Sequence, residues 1–569
     1  MRTILAILLV AAVARAHGES GRTAPPPSSG PQVVPTGGPT TPEPRIVKGA
    51  HTWEDWWAYH REPFLAARTK GPVSGGPARA NDAIDRKRYR EEILPAILER
   101  ALEDKNHEVR AAAAVAMGKL GLEAFDRPLG RHQRFPGEGW PDVRESAIYG
   151  AGLLGLDYNR KLFTNLAGDK EVATKERSLA LVGLLVDGSR ESADTLLWHL
   201  EFFHSGIKSD ATTAPVRAEQ ERRRMAAHLL GFSALDGYDD ELAAAALGAR
   251  KWAPGEQALA VTALGRRRAR DYKETLFRIF YDRDADDEVR RSVPIALGMM
   301  LRPDDGDDVK RLARFVRDRR DDPVAQHFAV LALAQIGGPV ASKLLVELHD
   351  AKVFVVDRDR AFLHLALGIC GASSEEARDA LFAAYEREKS QASWAPQALG
   401  LGIARDARAV ALTIERMGGA GAGGAKFLGT AALALGFHGD ARGVAVVREA
   451  FRKYNLPDVR DGAALALVML LRHEAAPELI EILEESGTTH GRAAAVGALA
   501  LFPEPTQGVV DALVATYRDD SVADAVRAMA IAALGVLGDA REVAFSASLT
   551  RGYNYFVRCL ALDELASLL

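Results

Sequence analysis

The sequence predicts an all-α fold, a right-handed α-solenoid of about fourteen helical hairpins. Three observations predict it. The stretch Asp524 to Gly538, DAVRAMAIAALGVLG, places Val526, Ala530, Ala533, Leu534 and Leu537 on one helical face at three- and four-residue steps. Variants of it recur, the best being HEVRAAAAVAMGKLG from His107, PDVRESAIYGAGLLG from Pro141, DEVRRSVPIALG from Asp287 and DVRDGAALAL from Asp458. The small residue of the "ALG" segment falls at Gly118, Gly152, Gly183, Gly231, Gly265, Gly298, Ala334, Gly368, Gly400, Gly436, Val468, Ala500 and Gly535, a mean period just under 35 residues. A period of that size marks stacked helical repeats.

These repeats resemble the HEAT-repeat family, in which an Asp and a Val-Arg pair open the second helix of each antiparallel pair. The resemblance covers roughly residues 85–569 and implies a fold; HEAT arrays serve many roles, so it implies no single activity. The segment TWEDWWAYHREPFL from Thr52, ahead of the repeats, resembles a Trp-rich segment that precedes the repeats of exported bacterial HEAT-repeat proteins of unknown function.

The chain has 569 residues and a formal charge of -4. Its 73 basic and 77 acidic residues nearly balance, which gives no global field for nucleic acid or an anionic membrane. Residues 1–16 have the pattern of a signal peptide: Arg2, an apolar run from Ile4 to Ala14, and Ala14-Arg15-Ala16 before the expected cut. The apolar run is too short to span a bilayer. The mature protein is therefore expected to be periplasmic or secreted, without stable membrane insertion. Residues 17–50, rich in Pro, Gly and Thr, read as a disordered tether.

Residues 51–67 change texture. Trp53, Trp56, Trp57, His60 and Phe64 share one helical face, and this segment is expected to cap the open first repeat or to present an aromatic binding patch. Residues 68–84 read as a second linker, and the solenoid begins at 85. As an open arc of fourteen layers at about 9 Å each, it should exceed about 100 Å. Cys370 and Cys559 lie in different repeats and are expected to be buried free thiols.

Three departures from the repeat read as loops: residues 122–142, 204–216 and 417–426. The last fails as a phosphate loop, because Gly419 to Gly424 is followed by Ala425-Lys426-Phe427 and no strand precedes it. Candidate binding residues follow from the register, in which Val and Ala of VRxxAxxALG are core. Arg110, Arg144, Glu145, Arg290, Arg291, Arg460, Asp461 and Arg527 then face outward along the groove, where the arginines also suit an ion-pair ladder between repeats. Trp53, Trp56 and Trp57 complete the candidate set.

One HEAT-repeat enzyme family, deoxyhypusine hydroxylase, binds iron through four His-Glu dipeptides. This chain has two, His107-Glu108 and His473-Glu474, about ten repeats apart. His199, His204 and His228 with Glu201 offer zinc-type ligands, but His199 and His204 are five apart, off helical spacing. No Gly-x-Ser-x-Gly or His-Glu-x-x-His sequence occurs. The expectation is a non-catalytic scaffold that binds protein or another extended partner along its concave groove, with no metal or other cofactor and no nucleic acid. The alternative is a metal-dependent enzyme or a lyase of the phycobilin type on the same scaffold.

Overall fold

The computed structural model describes residues 52–69, 82–133, 138–201, 214–248, 252–318, 321–420, 424, 427–539, 557, 559 and 562. The expected signal peptide and tether, residues 1–50, lie outside them, as do 70–81 of the second linker.

Two short helices come first, α1 (Trp53–His60) and α2 (Glu62–Thr69). A turn of helix, α3 (Arg86–Arg88), then runs through a π turn at Tyr89–Ile93 into α4 (Leu94–Leu102). From there the helices pair off. α4 pairs with α5 (His107–Leu120), α6 (Asp126–His132) with α7 (Pro141–Leu154), α8 (Arg160–Gly168) with α9 (Thr174–Asp187), and α10 (Arg190–Glu201) with α11 (Ala214–Leu230). Next come α12 (Asp239–Ala246) with α13 (Pro254–Arg267), α14 (Lys273–Tyr281) with α15 (Asp287–Met300), α16 (Gly306–Asp318) with α17 (Pro323–Ile336), and α18 (Gly338–Asp350) with α19 (Asp357–Gly371). The last five pairs are α20 (Glu375–Arg387) with α21 (Gln391–Ala404), α22 (Ala409–Gly418) with α23 (Leu428–His438), and α24 (Val444–Lys453) with α25 (Pro457–Leu471), followed by α26 (Ala476–Glu485) with α27 (Thr489–Leu499), and α28 (Gln507–Arg518) with α29 (Asp524–Gly538). Thirteen hairpins thus lie among the described residues, even-numbered helices outside and odd-numbered inside. The further unit expected near the C-terminus falls mostly outside them; its Val557, Cys559 and Leu562 are buried.

The inner helices form this way because their small residues let backbones touch. Counting from the arginine of each Val-Arg position, the eighth residue of one inner helix packs on the sixth of the next. A Cβ added at Gly118 would lie 2.6 Å from Gly150 Cα, one at Gly152 3.1 Å from Gly183 Cα, and one at Gly231 2.8 Å from Ala263 Cα. Gly183 therefore answers to Gly150, two residues out of step with the "ALG" series. The inner helices approach one another more closely than the outer ones do, and the stack curves toward its inner side.

That curvature closes a circle. α29 packs on α5 as one inner helix packs on the next, and by the same rule: a Cβ at Gly535 would lie 3.0 Å from Ala116 Cα. Across this seam the Tyr89 hydroxyl donates to Leu534 O at 2.9 Å, Arg527 meets Asp104 at 2.9 Å, and Lys105 meets Asp520 at 3.1 Å. The open arc expected from sequence is corrected to a ring. Thirteen inner helices at about 9 Å spacing give a circle about 37 Å across their axes, or about 27 Å clear after a helix radius of about 5 Å on each side.

A ring has no open end to cap, and the aromatic segment accordingly lies elsewhere. α1 and α2 sit on the inner side of α19, α23 and α25, in the eighth, tenth and eleventh hairpins, and not on the first. The connection back to the first hairpin is strapped to the α27–α28 loop, where Ile84 N donates to Pro505 O at 2.8 Å and Gln507 N to Asp82 O at 3.0 Å. Residues 122–142 are likewise corrected: they contain α6, an ordinary outer helix, whose seven residues with Pro128 and Gly130 carry too little helical pattern to be read from sequence. Residues 204–213, 421–423 and 425–426 of the other two expected loops lie outside the described residues. Cys370 and Cys559 are buried free thiols, and Cys559 Sγ donates to Glu221 Oε1 at 3.2 Å. Among the described residues no helix is long and apolar enough to cross a membrane.

Candidate functional site

The register arginine does one job in repeat after repeat. It reaches back to the last carbonyls before its own helix and sideways to an acid in the neighbouring unit. Arg110 donates to Asp104 O at 2.9 Å and pairs with Glu138 at 3.1 Å; Arg144 donates to Glu138 O at 3.0 Å and pairs with Glu176 at 2.9 Å. Arg290 takes Ala285 O at 3.1 Å and Asp322 at 2.9 Å, and Arg291 takes the same Asp322 at 3.0 Å. Arg527 donates to Tyr517 O at 2.9 Å before crossing the seam, and Arg460 donates to Tyr454 O at 2.8 Å. Glu145 is buried among them. These candidate residues are spread around the ring as a ladder of capped helix ends and ion pairs.

The other four candidates come together. Trp53, Trp56 and Trp57 on α1 are buried to 4%, 8% and 5% exposure, and Asp461 lies on the inner side of α25 near Arg61. α1 forms because Thr52 and Asp55 make a reciprocal capping box, and Arg61 keeps a helical conformation into α2. The result is one nearly continuous face. Trp56 stacks on His60 at 4.9 Å between centroids, while Trp57 packs on Phe64 at 5.6 Å and edge-on against Phe437 of α23 at 6.0 Å. His60 Nδ1 lies 2.8 Å from Trp56 O.

The second half of the contact is polar. Arg68 Nε donates to Gly436 O at 3.2 Å, and Arg472 donates to Arg68 O at 2.6 Å. The carbonyl end of α23 carries the negative end of its helix dipole and suits a guanidinium. Gly439 ends α23 at φ 71°, and a Cβ there would overlap Arg68 Nη2, so the ring leaves this space to the arginine. Burial lowers the Arg68 pKa, as do the Arg405 and Arg472 charges nearby. Burial also pushes the Asp461 carboxyl up to about 6, against the pull of Arg61 and with the push of Asp458. His438, buried between Asp406, Asp440 and Arg68, is lowered to about 4 by burial.

Sequence reasoning named the tryptophans and Asp461 but missed Arg61, Arg68, Phe437, Gly439 and Arg472. A signal existed for two of them: Trp53, Trp57, Arg61, Phe64 and Arg68 follow one another at steps of 4, 4, 3 and 4 residues. The ring side of the contact had none.

The histidines considered as metal ligands are scattered around the ring. His107 stacks on Trp140 at 4.1 Å and faces Asp142 at 2.5 Å, on the first two hairpins; His473 lies beyond α25, in the eleventh. His199 contacts Arg222 at 2.5 Å, His228 packs on Phe232, and His204 is outside the described residues. Among the described residues no three His, Cys, Asp or Glu side chains are grouped to hold a metal ion.

The HEAT repeat family matches residues 93–122, which are the first hairpin. No curated protein matches the chain. Among solved structures, human deoxyhypusine hydroxylase in complex with glycerol is 18% identical, covers 55% of this chain and 96% of its own, and has a TM-score of 0.22. A triple mutant of Kap121p is 12% identical over 78% of this chain and 54% of its own, with a TM-score of 0.35. An engineered protein is 16% identical over 77% of this chain and 98% of its own, with a TM-score of 0.22. The matched first hairpin is followed by twelve more of the same architecture, nine of the thirteen with an arginine at the register position, and the fold is an α-solenoid of HEAT-like hairpins.

Proposed function

We propose that the protein is an exported, non-catalytic scaffold that binds a protein partner on the inner wall of its ring. The observation that carries this reading is the seat on α19, α23 and α25, where the wall already holds a short aromatic helix pair by apolar burial and two placed arginines. A surface that holds one amphipathic helix has the shape and chemistry to hold another. The register arginines, spent on the ladder, contribute rigidity to that wall. Export rests on the pattern of residues 1–16.

The test is affinity capture from the envelope fraction of the exporting cell, with chain beginning at His17 as bait, at low and at high salt. The reading expects one protein retained in both buffers, because apolar contacts are not screened. A partner lost at high salt would place binding on charged surface instead, and an empty bait in both buffers would contradict the reading.

A further inference from the structure

We infer that the seat of α1 and α2 is a self-occupied groove for an amphipathic helix, and that the partner presents aromatic residues spaced like Trp53 and Trp57, followed by basic residues at the Arg61 and Arg68 positions. The inference rests on the proposed function for its partner and on geometry for its groove.

Three observations carry it. Features of the ring fit the guest, and Gly439 among them is also the left-handed C-cap of α23, as Gly121 and Gly155 are of α5 and α7. Gly439 gives up its Cβ space to Arg68, and Gly436 O accepts from the same side chain. At the inner-wall position just after the register arginine, α25 carries Asp461, whereas α19, α21 and α23 carry Ala361, Ala395 and Gly429. The one acid at this register position of the four helices lies near the guest's Arg61.

Next, the guest belongs to no hairpin. α1 and α2 have no partner helix of the repeat, and ring closure occurs at α5 and α29, away from the seat. The ring therefore does not need this segment to close.

Last, the guest is tethered. Residues 70–81 join it to the strap at Asp82, and twelve residues span at most about 40 Å. A tether of that length holds a segment at an effective concentration in the mM range. A competing helix must exceed this to enter, so the segment acts as a built-in inhibitor of its own groove.

The test uses the full chain and a fluorescent synthetic peptide of residues 52–69. The wild-type chain should bind the peptide at least about tenfold more weakly than the Trp53→Ala/Trp57→Ala chain, whose own segment no longer holds its place. Adding Asp461→Lys to that variant should weaken peptide binding at least about tenfold by setting a cation against Arg61. Equal affinity for the wild-type and double-variant chains, with unchanged thermal melts, would overturn the inference. If the double variant melts early, Arg68→Ala carries the same test, because it loosens only the last turn of the guest; no gain in peptide binding there overturns it equally. Repeating the envelope capture separates the two claims. A partner captured equally by Asp461→Lys chain would overturn the partner assignment and leave the scaffold reading standing, whereas peptide binding with an empty capture would do the reverse.

Discussion

Asp322 is buried to 1% exposure and shared by two arginines and a backbone amide. Burial alone would raise its pKa; the Ala325 amide and the Arg290 and Arg291 guanidinium groups more than offset that and hold the carboxyl below its ordinary range. Asp322→Ala leaves Arg290 buried without this partner, and a loss of about 3–5 kcal/mol is expected in thermal or denaturant unfolding. Asp307, 96% exposed in its pair with Lys310, provides the contrast: Asp307→Ala should leave the unfolding midpoint unchanged. Gly439 makes a second residue-scale prediction. Gly439→Ala requires a left-handed alanine and takes the space of Arg68 Nη2, so a loss of about 1–2 kcal/mol and faster amide exchange in residues 62–69 are expected. Sequence showed which arginines share a register, because local pattern sets that. It did not show that they are spent, because the acid each one meets lies 28 to 32 residues away in the next unit.

Among the elements, the inner helices were the most legible, since alanine and glycine at fixed steps declare both a helix and a close neighbour. The outer helices varied. α6 was hidden by its brevity, while α16, with Val309, Leu312, Ala313 and Val316 on one face, was plain. The aromatic segment was legible as a helical face but not in its location. Nothing in TWEDWWAYHREPFL specifies α23 or α25 as its partner, and the placement depends on Phe437, Gly439 and Asp461, which follow by nearly four hundred residues. Buried histidines on outer α10 and on inner α11 and α19 explain an expected acid sensitivity. His199 and His364 are pushed down to about 3 by burial, with added repulsion from Arg222 and from His349 respectively, and His228 is lowered well below its ordinary value. Unfolding restores a pKa near 6.5, so the unfolded chain binds more protons below that pH, and the stability these neutral rings confer is present above 6.5 and is lost as pH falls toward 3. Asp461, raised to about 6, and Glu256, also raised by burial, act in the opposite sense but are fewer. The melting temperature should therefore fall steeply between pH 6.5 and 4, and His364→Phe should lessen that fall; a melting temperature unchanged from pH 7 to 4 would contradict it.

For the whole molecule, the repeat count was readable and the closure was not. Each inner contact turns the stack by a small angle set by how closely residues such as Gly118 and Gly150 approach, and only the sum over all units decides between an arc and a ring. Closure changes what the repeats require. Among the described residues the first and last hairpins cover each other, so the aromatic segment is free of the capping role and is taken up by the inner wall. The seam itself can be tested on the native chain. Lys105 Nζ and an Asp520 carboxylate oxygen are 3.1 Å apart, both well exposed and 415 residues distant in sequence. Zero-length carbodiimide coupling followed by peptide mass spectrometry of the monomer band should recover the Lys105–Asp520 isopeptide. Its absence from monomer in which other close Lys–acid pairs such as Lys310–Asp307 are coupled would contradict the closed ring.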